Sequence, residues 1–277
     1  VSLVTRIHKR AAKSLDWLRG WLRARVALPF LILTKRPIRD VSRFARRVSF
    51  IESPAYAQNG EDGMLEAIFA KIGVTNRYCV EFGAYDGRTM SNTWYLRERK
   101  GWNGLLMDSQ ENPSGSGVHK EFVTAENIEE LFKKYGVPGE FDLLSIDIDG
   151  NDYWVWRAIR NETPRVVVIE YNACFPAEES KVIPYRPDFA WDKTDYCGAT
   201  LKAMEKLGKT KGYALVATDR NGVNAFFVRD DLVPGNFSLP PFGEIYHPAA
   251  FKGKKGNKHP PDQRGRPWMQ VSEGSSG

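Results

Sequence analysis

The sequence predicts a doubly wound α/β fold, with a mostly parallel sheet closed by a C-terminal antiparallel hairpin. Three observations predict it. Short apolar runs alternate with helical patterns from about residue 60 to residue 230. The runs are apolar almost throughout, as strands covered on both faces are. The first of them, Tyr78-Cys79-Val80-Glu81-Phe82-Gly83-Ala84-Tyr85-Asp86-Gly87, ends in an acid and turns through two glycines into a polar, helix-compatible stretch. Glycine at such a turn lets a ligand approach bare backbone, and a helix start adds free N–H groups.

The elements follow in order. Residues 3–23 carry a helical stripe of Val4, Ile7, Ala11, Leu15, Leu18 and Leu22, with Arg6, Lys9, Arg10, Lys13 and Arg23 largely off it and Trp17 and Trp21 at its flanks. Such a basic amphipathic helix suits an anionic membrane surface, its own domain or a second subunit, or an RNA contact. Gln58-Asn59-Gly60-Glu61-Asp62 is a polar loop feeding a helix whose buried face is Met64, Leu65, Ile68, Phe69 and Ile72. After the glycine strand and an expected helix from Arg88 come strands at Gly104–Asp108 and Glu121–Thr124, then a helix at Ala125–Tyr135. A strand at Phe141–Asp149, a helix at Asp152–Ile159 and a buried strand at Arg165–Asn172 follow. Residues 173–195 form a long loop, Thr200–Lys211 a helix, and Tyr213–Ala217 with Val223–Val228 the closing hairpin. This divides the chain into a basic helical arm (1–50), a main domain (51–250) and a flexible tail (251–277) rich in Gly, Pro, Lys and Ser.

The charge is uneven. The net of +6 over 277 residues hides 13 Lys/Arg against 2 Asp/Glu in residues 1–50, a local +11 that leaves −5 for the rest. The pI near 9.1 is therefore a property of the arm, and an acidic body argues against a nucleic-acid-tracking surface. Three widely spaced cysteines, Cys79, Cys174 and Cys197, argue against a disulfide framework or zinc cluster. They fit a reducing, cytoplasmic setting, with the arm (residues 1–25) available for peripheral contact with the inner membrane face. The longest apolar stretch, Val26–Leu33, contains Pro29 and is too short to span a bilayer.

Ligands of open α/β sheets bind outside the carboxyl ends of the strands. Here nearly every such end is acidic or amidic: Glu81, Asp108, Asp147 with Asp149, and Glu170 with Asn172. Carboxylates crowded on one edge repel unless a cation, ammonium or hydroxyls meet them. Helix capping is the alternative role for Asp147, Asp149 and Asp152.

The order of elements, Glu81-x-Gly83-x-x-x-Gly87 and Asp108 resemble the Rossmann-like class I S-adenosylmethionine-dependent methyltransferases. More narrowly, Gln58–Asp62, Glu81–Gly87 and Ile146-Asp147-Ile148-Asp149-Gly150-Asn151-Asp152 resemble the FkbM-type methyltransferases over residues 55–232. Many of those have Asp-Val-Glu-Gly where this chain has Asp147-Ile148-Asp149-Gly150. The resemblance implies O-methylation of a hydroxyl on a glycan, sugar nucleotide or related small metabolite. It implies that Glu81 holds the methionine amino end, that Gly83 and Gly87 admit the cofactor, and that Asp108 accepts the ribose hydroxyls. Gln58 and Asn59 would close over the methionine moiety, and Glu126 or Asn127 would meet the adenine amino group.

Methyl transfer from a sulfonium needs alignment of the acceptor oxygen and removal of its proton. Asp147 or Asp149 could act as base. Alternatively Asp149, Glu170 and Asn172 could hold Mg²⁺ or Mn²⁺, since hard cations prefer oxygen ligands. That set is similar to the acids and Asn used by catechol-type O-methyltransferases. The loop 173–195 and its flank offer Phe175, Tyr185, Phe189, Trp191 and Tyr196 with Lys181, Arg186 and Lys193, which suit a sugar ring or a phosphorylated acceptor and are equally ordinary as loop packing. Asn221 and Asn224 are further candidates for the acceptor pocket. The competing expectations are a membrane-surface adaptor with a relic fold and a nicotinamide-dependent oxidoreductase. The glycine spacing, which is not G-x-G-x-x-G, disfavours the second. A homo-oligomer is compatible with all three.

Overall fold

The computed structural model describes residues 37–41, 43, 60–111, 115–251, 254 and 256–273. The basic helix expected over residues 3–23 lies outside them, as do Gln58 and Asn59. Helix α1 (Glu61–Ile72) leads into β1 (Tyr78–Phe82), α2 (Trp94–Lys100), β2 (Asn103–Asp108) and β3 (Val118–Lys120). Then come α3 (Ile128–Tyr135), β4 (Glu140–Ile146), α4 (Asp152–Ala158) and β5 (Thr163–Glu170). The remaining elements are β6 (Lys181–Val182), α5 (Leu201–Thr210), β7 (Tyr213–Thr218), β8 (Asn224–Arg229), α6 (Phe242–Ile245) and β9 (Met269–Gln270).

Seven strands form one sheet in the order β3-β2-β1-β4-β5-β8-β7. The first five are parallel, while β8 runs antiparallel to both β5 and β7. This mixed α/β architecture, with its mostly parallel sheet, is compatible with a Rossmann-like fold. Successive strand side chains face opposite sides of the sheet. Val80, Phe82, Leu144, Ile146, Val167 and Ile169 therefore pack on the side of α3, α4 and α5. Cys79, Leu143, Val166, Val168 and Phe226 pack against Met64, Leu65 and Ile68 of α1 and Leu96 of α2. Two cores on one sheet explain why the strands read as unbroken apolar runs.

Three segments differ from the sequence reading. The helix after the glycine turn begins at Trp94 rather than Arg88. Asp86 accepts the N–H groups of Arg88 and Thr89, and Met90 takes a φ of 60°, so side-chain bonding and a left-handed residue displace the helix. The strand expected at Glu121–Thr124 lies at Val118–Lys120, because Asn127 and Thr124 bond each other's backbone to start α3. Residues 256–273, within the segment expected to be a flexible tail, fold onto the body: β9 pairs with β6, Val271 is buried, and the Trp268 ring meets Phe175 and Tyr196. Its aromatic and apolar residues, spaced among Gly and Pro, supply the contacts that composition averages hide. At the other end Ile38 bridges to Phe237, and Val41 joins the second core.

At the amino ends of the strands, Asp142 is fully buried and accepts N–H groups from Thr75, Asn76 and Arg77 at 2.8–3.1 Å, while pairing with Arg165 Nη1 at 2.7 Å. Arg165 also donates to the carbonyls of Ile72 and Gly73, so α1, β1, β4 and β5 are joined at one point. Removing one partner of a buried pair strands the other's charge. Asp142→Ala is expected to cost about 3–5 kcal/mol in urea unfolding. Asp142→Leu with Arg165→Met should recover part of this, because the 75–77 amides stay unpaired.

Candidate functional site

The carboxyl ends of β1, β2, β4 and β5 share one sheet edge, and the antiparallel β8 brings its amino end there, with Asn224 opposite Glu170. The strand order reverses between β1 and β4, which opens a crevice at that edge.

The glycine turn makes the crevice. Gly83 has a φ of 70°, and a Cβ there would lie 1.6 Å from the Asp147 carbonyl oxygen. Asp147 N–H in turn donates to Phe82 O at 3.3 Å, so the chains leaving β1 and β4 stay in contact beyond the sheet. Gly87, at φ 73°, closes the turn through its N–H to Ala84 O and accepts a bond from Arg97. Tyr85 is held at a φ of 47° with its N–H on Asp108 Oδ2 at 2.8 Å, and Gln110 N–H meets Asp108 Oδ1 at 2.9 Å. One donor on each oxygen fixes the Asp108 carboxylate while leaving lone pairs for a ligand.

Glu81, expected to hold the methionine amino end directly or through water, is bonded to the loop that follows the glycine turn. Its Oε1 accepts Asn92 N–H at 2.7 Å, and its Oε2 accepts the hydroxyls of Ser91 and Thr93 at 2.7 and 2.5 Å. Burial, offset by these bonds, holds its carboxyl above the usual range. Glu81 thereby builds the crevice wall by fixing the 91–93 loop.

Asp147, Asp149 and Glu170 converge: one carboxylate oxygen from each lies within 4.8 Å of the others. Asp149 sits at a φ of 58°, a left-handed conformation that Asp tolerates better than most residues. Asp152 shapes that turn by accepting the N–H groups of Ile148 and Gly150. Burial, then the charges of Asp152 and Asp149, pushes Asp147 well above an ordinary carboxyl. Burial, then Asp147, does the same to Glu170. Asp149 is raised by partial burial and then by Asp108. Burial lifts Asp152 to about 6, and burial with the charge of Glu61 lifts Asp219 to about 6.

The side chain of Asn172 donates to the carbonyls of Asp195 and Cys197 and accepts Cys174 N–H, so its amide pins the long loop, and Asn172 lines a small pocket together with Glu170. Glu126 is exposed and bonded to the Tyr185 hydroxyl. The sequence reading missed Glu61 and Asp219 as members of the site. Glu61 is fully buried and accepts Asn224 Nδ2 at 3.0 Å, while Asp219 holds the turn before β8. The signal for Glu61 is an acid immediately before an apolar helix stripe, inside the polar loop that precedes the glycine strand. The three cysteines are free and buried.

Compared with protein-family models, curated proteins and solved structures, the chain matches none. Among the described residues no helix is long and apolar enough to cross a membrane.

Two predictions follow from this geometry. Gly83→Ala drives a methyl into backbone, so it is expected to lower the unfolding midpoint in urea and to change the crevice. Carboxyls with raised folded pKa values hold extra protons in the folded state, so stability falls as pH rises from about 4 to about 6. The effect is at most roughly 3 kcal/mol for each of Asp152 and Asp219. Half-buried His247 and His259, with pKa values lowered by desolvation, act in the opposite sense. Asp219→Asn isolates the acids: its stability–pH slope between about pH 4 and 6 should be less negative than the parent's, and an equal slope would refute the assignment.

Proposed function

We propose that this protein is an S-adenosylmethionine-dependent O-methyltransferase of the class I type, acting on a hydroxyl of a glycan, sugar nucleotide or related small metabolite. The observation that carries the reading is the crevice itself. A left-handed glycine turn leaves β1 at the point where strand order reverses, and Asp108 is fixed on the neighbouring strand end by two backbone N–H groups. The closing antiparallel β8 beside β5, with β7 outside it, supports the same reading.

In this reading Gly83 and Gly87 leave the backbone bare along the cofactor, and Asp108 accepts the two ribose hydroxyls. Glu81 keeps the Ser91–Thr93 loop in place as the wall of the methionine end. The Asp147, Asp149 and Glu170 carboxylates fit a divalent cation such as Mg²⁺ or Mn²⁺: all offer hard oxygens, and burial has left their charges mutually repelling. Such an ion, when bound, would hold the acceptor oxygen and lower its pKa. Asp149, the most exposed of the three, is placed to take the acceptor's proton. The acceptor oxygen gains the methyl group as the S–C bond breaks, leaving S-adenosylhomocysteine and a methyl ether.

Calorimetric titration with S-adenosylhomocysteine tests this directly, with micromolar binding expected. Asp108→Ala should weaken it at least tenfold, about 1.4 kcal/mol or more, with folding retained. Glu170→Gln should abolish Mn²⁺ binding while leaving S-adenosylhomocysteine affinity within about threefold of the parent. Absence of S-adenosylhomocysteine binding by the folded parent would overturn the proposal.

A further inference from the structure

The acidic site has a neighbour. A second cavity of about 430 Å³ opens between the long loop after β5 and the C-terminal segment, a size ordinary for small-molecule sites. Its two sides are firmly attached to the body. On the loop side, Asn151 Nδ2 at the start of α4 donates to Arg186 O at 2.8 Å, and Trp154 Nε1 donates to Ile183 O at 2.9 Å. On the other side, Tyr196 Oη donates to Pro267 O at 2.9 Å, and Asp262 N–H meets Asp195 Oδ1 at 2.8 Å.

One residue of the cavity lining reaches the turn that carries Asp149. A Cβ on Gly150, the residue after Asp149, would lie 2.3 Å from the edge of the Phe189 ring. Phe189 therefore packs its ring edge on the Asp149–Gly150 turn while also lining the cavity. Tyr196, which also lines the cavity, meets the Phe189 ring with centroids 6.4 Å apart, and the other loop aromatics have partners of their own. Phe175 packs on Trp268, Tyr185 meets Trp154, and Trp191 meets His259. Tyr196 lies beneath the Arg266 guanidinium.

The polar lining is mixed in sign. Arg186 pairs with Asp188, and Arg264 and Arg266 pair with Asp192. An anion would meet the two aspartates, and a cation the three arginines. A polyol suits both, since each hydroxyl donates to a carboxylate and accepts from a guanidinium. An aromatic face beside such groups is apolar enough to take the C–H side of a sugar ring. One buried donor, Arg266 Nε, has no acceptor among the described residues, and a ligand oxygen would supply one.

We propose that this cavity binds a sugar unit of the acceptor, distal to the hydroxyl that reacts near Asp149, with Phe189 as its stacking face. The proposal deepens the methyltransferase reading and rests on it for the word acceptor. The sugar site itself rests on the cavity.

The test uses the full chain and saturation-transfer NMR with methyl glycosides of glucose, galactose, mannose, rhamnose and N-acetylglucosamine. At least one is expected to show ring-proton saturation, weakened about fivefold or more by Phe189→Ala and by Arg264→Ala. Arg264 is exposed and held by one ion pair, so its variant should fold even if that at Phe189 does not. S-adenosylhomocysteine affinity, measured on the same samples, should be unchanged in both variants. Saturation that depends on these residues in a chain that does not bind S-adenosylhomocysteine would uphold the sugar site and remove the methyltransferase reading. A folded parent that saturates none of the five glycosides, or saturation indifferent to Arg264→Ala, overturns the sugar site.

Discussion

The contact between the chains leaving β1 and β4 governs the rest of this structure. With the Asp147 carbonyl where a Gly83 side chain would begin, only glycine fits, and the two strand ends are locked together. The same contact turns the chain after β1 away from the sheet. It therefore opens the crevice, aims Tyr85 N–H at Asp108, and carries Asp147 and Asp149 to the carboxyl edge. Close packing and the site share one cause.

That edge concentrates negative charge in a partly dry space. Glu61, Glu81, Asp147, Asp149, Asp152, Glu170 and Asp219 feel one another strongly enough to raise several of their pKa values. Some of the strain is relieved internally. Asp152 and Asp219 accept backbone N–H groups, and Glu81 accepts three donors. Among the described residues, Asp147, Asp149 and Glu170 are the ones whose oxygens converge without such backbone support, a natural arrangement for groups that meet a ligand. The opposite end of the sheet balances charge differently, with Asp142 matched by Arg165 and by amides.

Much of the architecture was legible because both faces of the sheet are covered. Val166–Ile169 and Leu143–Ile146 could only be strands buried on two sides, and Gly83 with Gly87 marked the turn. The errors fell where side chains compete with the backbone. Asp86 and Glu81 hold the segment after Gly87 out of helical geometry, and no periodicity in Arg88–Thr93 reveals that. Composition misled at the C-terminus, where Trp268 and Val271 anchor a segment otherwise rich in loop formers.

The sequence by itself determined the alternation of strands and helices, the glycine turn and the acids at the strand ends, since these depend on periodicity and local geometry. Tertiary structure decided which acids meet. Asn172 follows Glu170 by two residues yet turns to the long loop, while Asp147, a whole strand away in the chain, joins Glu170. Parallel neighbours bring together residues far apart in sequence, and spacing along one strand carries no record of that register. The pairing of β6 with β9, and the cavity between their segments, likewise exist only because a distant segment returns to the loop.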